Sequence, residues 1–213
     1  MQAFIFDMDG VIIDSEPLHI AVEIETVRHF GGTISEKQLA KYMGMTNAEM
    51  WGKVRQECGL THPVEEIISY QLTRKINALR EIDMEPIEGI RELIHSLKHH
   101  KVKRAIASSS PMSFIQEVVQ KFNIAQEFDL IMSGEEVNKG KPAPDIYLEA
   151  AKRLGVNPVQ CVVLEDSRNG VRAAKSAGMK CIGYMNPNSG NQDLSEADLI
   201  VTSIRDIKVQ NLM

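Results

Sequence analysis

Phe4-Ile5-Phe6-Asp7-Met8-Asp9-Gly10-Val11-Ile12-Ile13-Asp14 is the stretch whose reading decides the fold. The run Ala3, Phe4, Ile5, Phe6 shows no polar alternation, which suits a strand buried on both faces in the middle of a parallel sheet. It ends in two carboxylates, Asp7 and Asp9, followed at once by Gly10. In open α/β sheets ligands bind at the carboxyl ends of the strands, where both side chains would emerge. Two anions so close repel and raise each other's pKa unless a cation or a proton lies between them. Alone, the stretch reads equally well as a strand closed by an Asp-Gly turn. Further carboxylates, a hydroxyl and a cation elsewhere in the chain decide between the two.

The 213 residues can bury a full core, either as one large domain or as a core with an insert. A hydrophobic share of 43% and a charged share of 25% are ordinary for a soluble globular protein. Net charge of −5 argues against a nucleic-acid surface, which needs clustered Lys and Arg. The basic run Lys98-His99-His100-Lys101-Val102-Lys103-Arg104 reads as a solvated helix end complementing the helix dipole. Cys58, Cys161 and Cys181 are odd in number and widely spaced, so they read as reduced thiols of a cytoplasmic protein, neither disulfides nor zinc ligands. No signal-peptide pattern opens the chain and no apolar run approaches ~18 residues, so no membrane role is expected.

From Leu18 to about Phe30 apolar residues recur at helical spacing, with Ser15 as the expected cap and Pro17 in the first turn. Gly31-Gly32 stops that helix. Ser35 and Gln38 have capping-box spacing, Gly44 and Asn47 mark a break, and Met50–Gly59 and Val64–Ile82 continue as amphipathic helices. No strand-like run occurs between Asp14 and Met84, so the block reads as a helical insert hung from the first strand. From Pro86 onward helices and strands alternate. Strands are predicted at Val102–Ala107, Phe128–Ser133, Cys161–Leu164, Cys181–Tyr184 and Leu199–Val201. Helices are predicted at Gly89–His99, Ser113–Phe122, Pro144–Leu154 and Gly170–Ala177, with Ile204–Val209 as a short closing helix. That alternation argues for a parallel sheet wrapped on both faces.

Three more strand ends deliver polar residues: Ser108-Ser109-Ser110, Lys139-Gly140-Lys141-Pro142, and Glu165-Asp166-Ser167. In a parallel sheet all could converge on Asp7 and Asp9. Standing alone, the serines would read as a helix cap, Lys141 as a solvated loop lysine, and Glu165-Asp166-Ser167 as a helix start. Ser167 and Asn169 read as capping and loop residues. His29, His62, His95, His99 and His100 have no metal-ligand spacing.

Taken in order, DMDGVIID (7–14), Ser108 after an apolar strand, GKPAPDIY (140–147) and VVLEDSRNGVRAAKSAG (162–178) resemble the four motifs of the haloacid dehalogenase-like hydrolase superfamily. DSEPLH (14–19) resembles the phosphatase and beta-phosphoglucomutase subfamily, whose helical cap is inserted after the first motif. The resemblance implies a Rossmann-like, three-layer α/β core (1–14 and 85–213) with an all-helical cap (15–84). It implies Asp7 as nucleophile and Asp9 as general acid/base. It also implies Mg²⁺ on the Asp7 carboxylate, the Asp9 carbonyl and Asp166, with Glu165 as a nearby or direct partner, a set of hard oxygen ligands that suits the ion. Ser108 and the Ser109 amide would bind phosphoryl oxygens, and Lys141 would neutralise charge on the phosphoryl group and Asp7. His19 matches a residue near the active-site entrance of that subfamily, and Met43 and Met45 flank Gly44 in a cap loop that would face the site.

The expectation is therefore a Mg²⁺-dependent phosphatase acting on a small phosphomonoester, a sugar phosphate, as a monomer with a cap closing over its substrate. A phosphosugar mutase is the alternative, weakened because a cap arginine and a lysine of that subfamily align here with Asn47 and Pro111, leaving no clamp for a second phosphate. Lys75 carries little weight as a substitute. A dehalogenase is disfavoured, needing neither an acid/base at Asp9 nor a metal pair. A phospho-acceptor signalling module is disfavoured by the insert after the first strand and by Asp7 and Asp9 sharing one strand end.

Overall fold

β1 (Ala3–Phe6) is buried along its whole length, as its uninterrupted apolar sequence requires. The computed structural model describes residues 1–42 and 47–213, and the predicted break at Gly44, with Met43 and Met45, lies outside the described residues. After β1 come α1 (Glu16–His29), α2 (Glu36–Leu39), α3 (Asn47–Glu57) and α4 (Val64–Glu81). The chain then runs through α5 (Ile90–His99), β2 (Lys103–Ser108), α6 (Met112–Lys121), β3 (Leu130–Ser133), α7 (Asp145–Leu154), β4 (Cys161–Glu165), α8 (Arg168–Ser176), β5 (Lys180–Tyr184) and β6 (Leu199–Val201). The strands form a parallel sheet in the order β3-β2-β1-β4-β5-β6. That order reverses between β1 and β4, which is where an open α/β sheet forms its ligand crevice.

The chain divides into two compact units, Met1–Asp14 with Met84–Met213, and Ser15–Asp83, so Met84 lies with the α/β unit. In that unit Ala3 and Ile5 pack with residues of α7 and α8, among them Ile146, Tyr147, Ala150, Val171 and Ala174. Successive strand residues face opposite sides. Phe6 accordingly meets Phe128 edge-on, with ring centroids 5.7 Å apart, and α5 packs against β2. The helical unit has its own core around Val27, Trp51, Val54 and Ile67. Trp51 Nε1 donates to Gln71 Oε1 at 3.1 Å, satisfying an indole buried in apolar surroundings. Among the described residues no helix is long and apolar enough to cross a membrane.

Element boundaries differ from the sequence expectation where side chains compete with the ladder. β3 starts at Leu130, after a 3₁₀ turn at Ala125–Glu127. Just before it, Asp129 Oδ2 accepts from the Arg104 amide at 2.8 Å. β2 begins at Lys103 and includes Ser108. Ser15 occupies the N-cap of α1 but makes no side-chain capping bond, whereas Ser35 and Gln38 form the predicted capping box. The closing helix is a pair of 3₁₀ turns, Ile204–Asp206 and Val209–Leu212. Cys58, Cys161 and Cys181 are free thiols.

Candidate active site

Parallel register brings the four polar strand ends to one edge. Phe6 pairs with Ile106 on one side and Leu164 on the other, so Asp7, Ser108 and Glu165 leave the sheet within a residue or two of the same level. Gly10 then turns the chain with φ +73°, a conformation that favours glycine. The amides of Val11, Ile12 and Ile13 all reach the Met8 carbonyl.

Asp7, Glu165 and Asp166 are all buried and offer carboxylate oxygens within 4.8 Å of one another. Lys141 sits among them: Nζ donates to Asp7 Oδ1 at 2.7 Å, to Glu165 Oε1 at 2.6 Å and to the Ala107 carbonyl at 3.3 Å. The Lys141-Pro142 peptide is cis. Glu165, 0% exposed, has both oxygens engaged. Oε1 accepts from Lys141 and from Tyr147 Oη at 2.7 Å. Oε2 accepts from the Asp166 amide at 3.1 Å and from the Ser167 amide and hydroxyl at 3.2 and 3.0 Å. Ser167 also caps α8, its Oγ accepting from the Gly170 amide at 3.0 Å.

Burial pushes the Asp7 carboxyl up to about 7, with Glu165 and Asp9 adding to the rise and Lys141 opposing it. Asp166 is raised well above the carboxylate range by burial and then by Glu165 and Asp7. Burial works against the Lys141 charge, but Asp7 and Glu165 outweigh it and hold the ammonium above its ordinary range. Burial likewise raises Tyr147, keeping its phenol protonated as the donor to Glu165. Burial is the larger cause of both raised carboxyls, and repulsion among acidic groups that one ammonium cannot balance adds to it. The donor set is all hard oxygen, so it fits a divalent cation of the Mg²⁺ type.

Asp9 is half-buried, and its carboxylate turns to the end of β2. Oδ2 accepts from Ser110 Oγ at 2.7 Å and from Ser108 Oγ at 3.3 Å, and Ser108 Oγ accepts from the Ser110 amide at 3.0 Å. Among the described residues the acidic cluster does not include the Asp9 side chain. Ser109 is exposed beside it. His19 lies on α1 in the helical unit.

Sequence reasoning missed several members of this constellation. Tyr147 stood inside a quoted motif, yet nothing in its spacing shows that its hydroxyl reaches Glu165. Ser110 was grouped with the serines, though it makes the shorter bond to Asp9. Gly170 lies so close to Glu165 that an added Cβ would overlap the carboxylate. Ser189 and Asn186, from the β5–β6 loop, bond to Asp166 and to the Gly10 carbonyl.

Fold and site together define a doubly wound α/β protein with a cluster of buried carboxylates at the switch point of its sheet. The chain belongs to the haloacid dehalogenase-like hydrolases, whose family model matches residues 4–184. It is 32% identical to hexitol phosphatase B of Escherichia coli (strain K12), over 99% of this chain and 96% of that protein. It is also 32% identical to the phosphorylated carbohydrates phosphatase of Thermotoga maritima, over 94% of this chain and 93% of that one. Among solved structures it resembles CbbY from Rhodobacter sphaeroides in complex with phosphate, with a TM-score of 0.90 and 27% identity, covering 97% of this chain and 96% of that one. Family and relatives place the chain among the phosphoric monoester hydrolases.

Proposed function

We propose that the chain is a Mg²⁺-dependent phosphatase of small phosphorylated sugars or sugar alcohols. The observation that carries the proposal is the triad of buried carboxylates, Asp7, Glu165 and Asp166, with a single buried lysine among them. In this proposal Asp7 and Asp166, with the Asp9 carbonyl, would hold the ion. Glu165, its oxygens already engaged, anchors Lys141 beside it. When bound, Mg²⁺ supplies positive charge that offsets repulsion between the nucleophile and the substrate's phosphate.

The chain's own residues carry the steps. The Asp7 carboxylate attacks phosphorus, forming the Asp7 acyl-phosphate as the bond to the leaving oxygen breaks. Asp9, protonated for this step, gives its proton to that oxygen and then takes one from the water that attacks the acyl-phosphate, regenerating Asp7 and releasing phosphate. Ser108 and the Ser109 amide would bind the phosphoryl oxygens, and Lys141 balances charge gathering on them and on Asp7. Ser108 and Ser110 aim Asp9 meanwhile. The sugar preference rests on the phosphorylated carbohydrates and hexitols in the names of the relatives. The helical unit would act as the cap, with His19 contributing to selection of the leaving group.

Hydrolysis is favoured over mutase chemistry because Pro111, carrying no cation, follows the serines as the N-cap of α6. The sheet-edge groups come from one chain, so a monomer suffices. Three free cysteines suit a reducing cytoplasm. Phosphate release from a panel of hexose and hexitol phosphates, with and without Mg²⁺, tests the proposal. Metal-dependent turnover of at least one is expected, and none on the whole panel would overturn it.

A further inference from the structure

The loop between β5 and β6 carries Asn186, Asn188, Ser189 and Gln192, none of which enters the steps above. Its side chains reach both strand-end loops that supply the carboxylates. Ser189, buried, donates its hydroxyl to Asp166 Oδ2. Asn186, also buried, donates Nδ2 to the Gly10 carbonyl at 2.9 Å, and its Oδ1 accepts from the Asn188 amide at 2.8 Å. Asn188 Nδ2 donates to Asp14 Oδ2 at 2.6 Å. Gln192 ties the loop's other flank, donating to the Ser189 carbonyl at 3.0 Å and accepting from the Arg168 amide at 3.2 Å. The three groups at the centre are in close contact: a methyl on Gly10 would overlap Asp166 Oδ2 and come within 2.9 Å of Ser189 Oγ.

We propose that this loop is a preorganising clasp for the metal site. Ser189 is a positioning residue that fixes the Asp166 carboxylate, and Asn186 fixes the turn at Gly10. The inference rests on the Mg²⁺ reading proposed above. A carboxylate free to rotate loses that freedom when it takes up an ion, whereas the bond from Ser189 orders Asp166 beforehand. Partners that orient metal ligands in this way change metal affinity when removed, typically by about 10- to 100-fold. A loop that serves packing alone would change thermal stability and leave the affinity where it was.

Calorimetric titration of the full chain with MgCl₂, comparing wild type with Ser189→Ala, separates these roles. The clasp predicts a Kd for Mg²⁺ about 10- to 100-fold weaker in the variant, with the half-saturating Mg²⁺ concentration for phosphate release rising in parallel. Wild-type binding with an unchanged Kd in Ser189→Ala overturns the clasp while leaving the metal reading intact. A wild type that binds no Mg²⁺ overturns the metal reading and the clasp with it. Should Ser189→Ala fail to fold, Ser189→Cys, whose thiol is a weaker donor, applies the same criterion.

Discussion

Lys141 Nζ lies 2.7 Å from Asp7 Oδ1, and both side chains are at least nine-tenths buried. The pair joins the cation of one strand-end loop to the carboxylate of another, and Glu165 holds the lysine's other side at 2.6 Å. Removing one partner of a buried ion pair leaves uncompensated charge and costs about 3–5 kcal/mol. Lys141→Met should therefore lower unfolding free energy by about that amount in Mg²⁺-free urea titrations, and should depress phosphate release as well. A urea midpoint matching wild type would show that Lys141 does not balance this cluster.

The raised carboxyls make stability depend on pH and metal together. Asp7 and Asp166 ordinarily titrate near 4, whereas in the fold Asp7 is raised to about 7 and Asp166 is also raised. The native state thus holds protons that the unfolded chain has lost, and their stabilisation fades as pH rises from about 4 through 7. Metal-free protein should have a lower Tm at pH 8 than at pH 5.5. Mg²⁺ competes with those protons, so the rise in Tm on adding it should be larger at pH 8. An equal or smaller rise at pH 8 contradicts the assignment of these groups to the ion.

Gly170 is required by space, not by backbone conformation. A Cβ there would overlap the Glu165 carboxylate, which cannot swing aside without releasing Lys141, Tyr147 and Ser167. Gly170→Ala should cost about 1–3 kcal/mol, as overpacked interiors do, and should reduce turnover through the displaced lysine. Thermal denaturation and phosphate-release assays on the same preparation check both effects. Full activity and stability would mean that Glu165 has room to move.

Asp9 and Asp7 separate by their surroundings. The Asp9 side chain faces Ser108 and Ser110, so Asp9→Asn should lower kcat by about 10²–10⁴, the range for general acid/base groups. Its Mg²⁺ affinity by calorimetry should change far less than that of Asp166→Asn. Equal losses of affinity in the two variants would place the Asp9 carboxylate on the metal.

Much of this was legible in the chain. The unalternating run Ala3–Phe6 marked β1 as a central strand, and the strand expected at Cys161–Leu164 pointed Glu165 and Asp166 to the same edge, where the parallel register places them beside Asp7. The helical insert followed from the lack of strand-like runs between Asp14 and Met84. What stayed hidden depends on approach in three dimensions. Tyr147 reaches Glu165 from α7, and Asn186 reaches the Gly10 carbonyl across most of the chain's length. Neither leaves a local pattern. Ser15 shows the opposite case: its spacing fits a cap, yet the helix starts without a capping bond from its hydroxyl.

The central claim is that Asp7 attacks phosphorus. Wild type mixed with a hexitol or hexose phosphate and Mg²⁺, quenched in acid within the first turnovers and digested, tests it by mass spectrometry. The account predicts one added phosphoryl group on the peptide containing Asp7, absent without Mg²⁺ and absent in Asp7→Asn, which should also lose turnover. Sustained phosphate release by Asp7→Asn, or a phosphoryl group on any other residue, would contradict it.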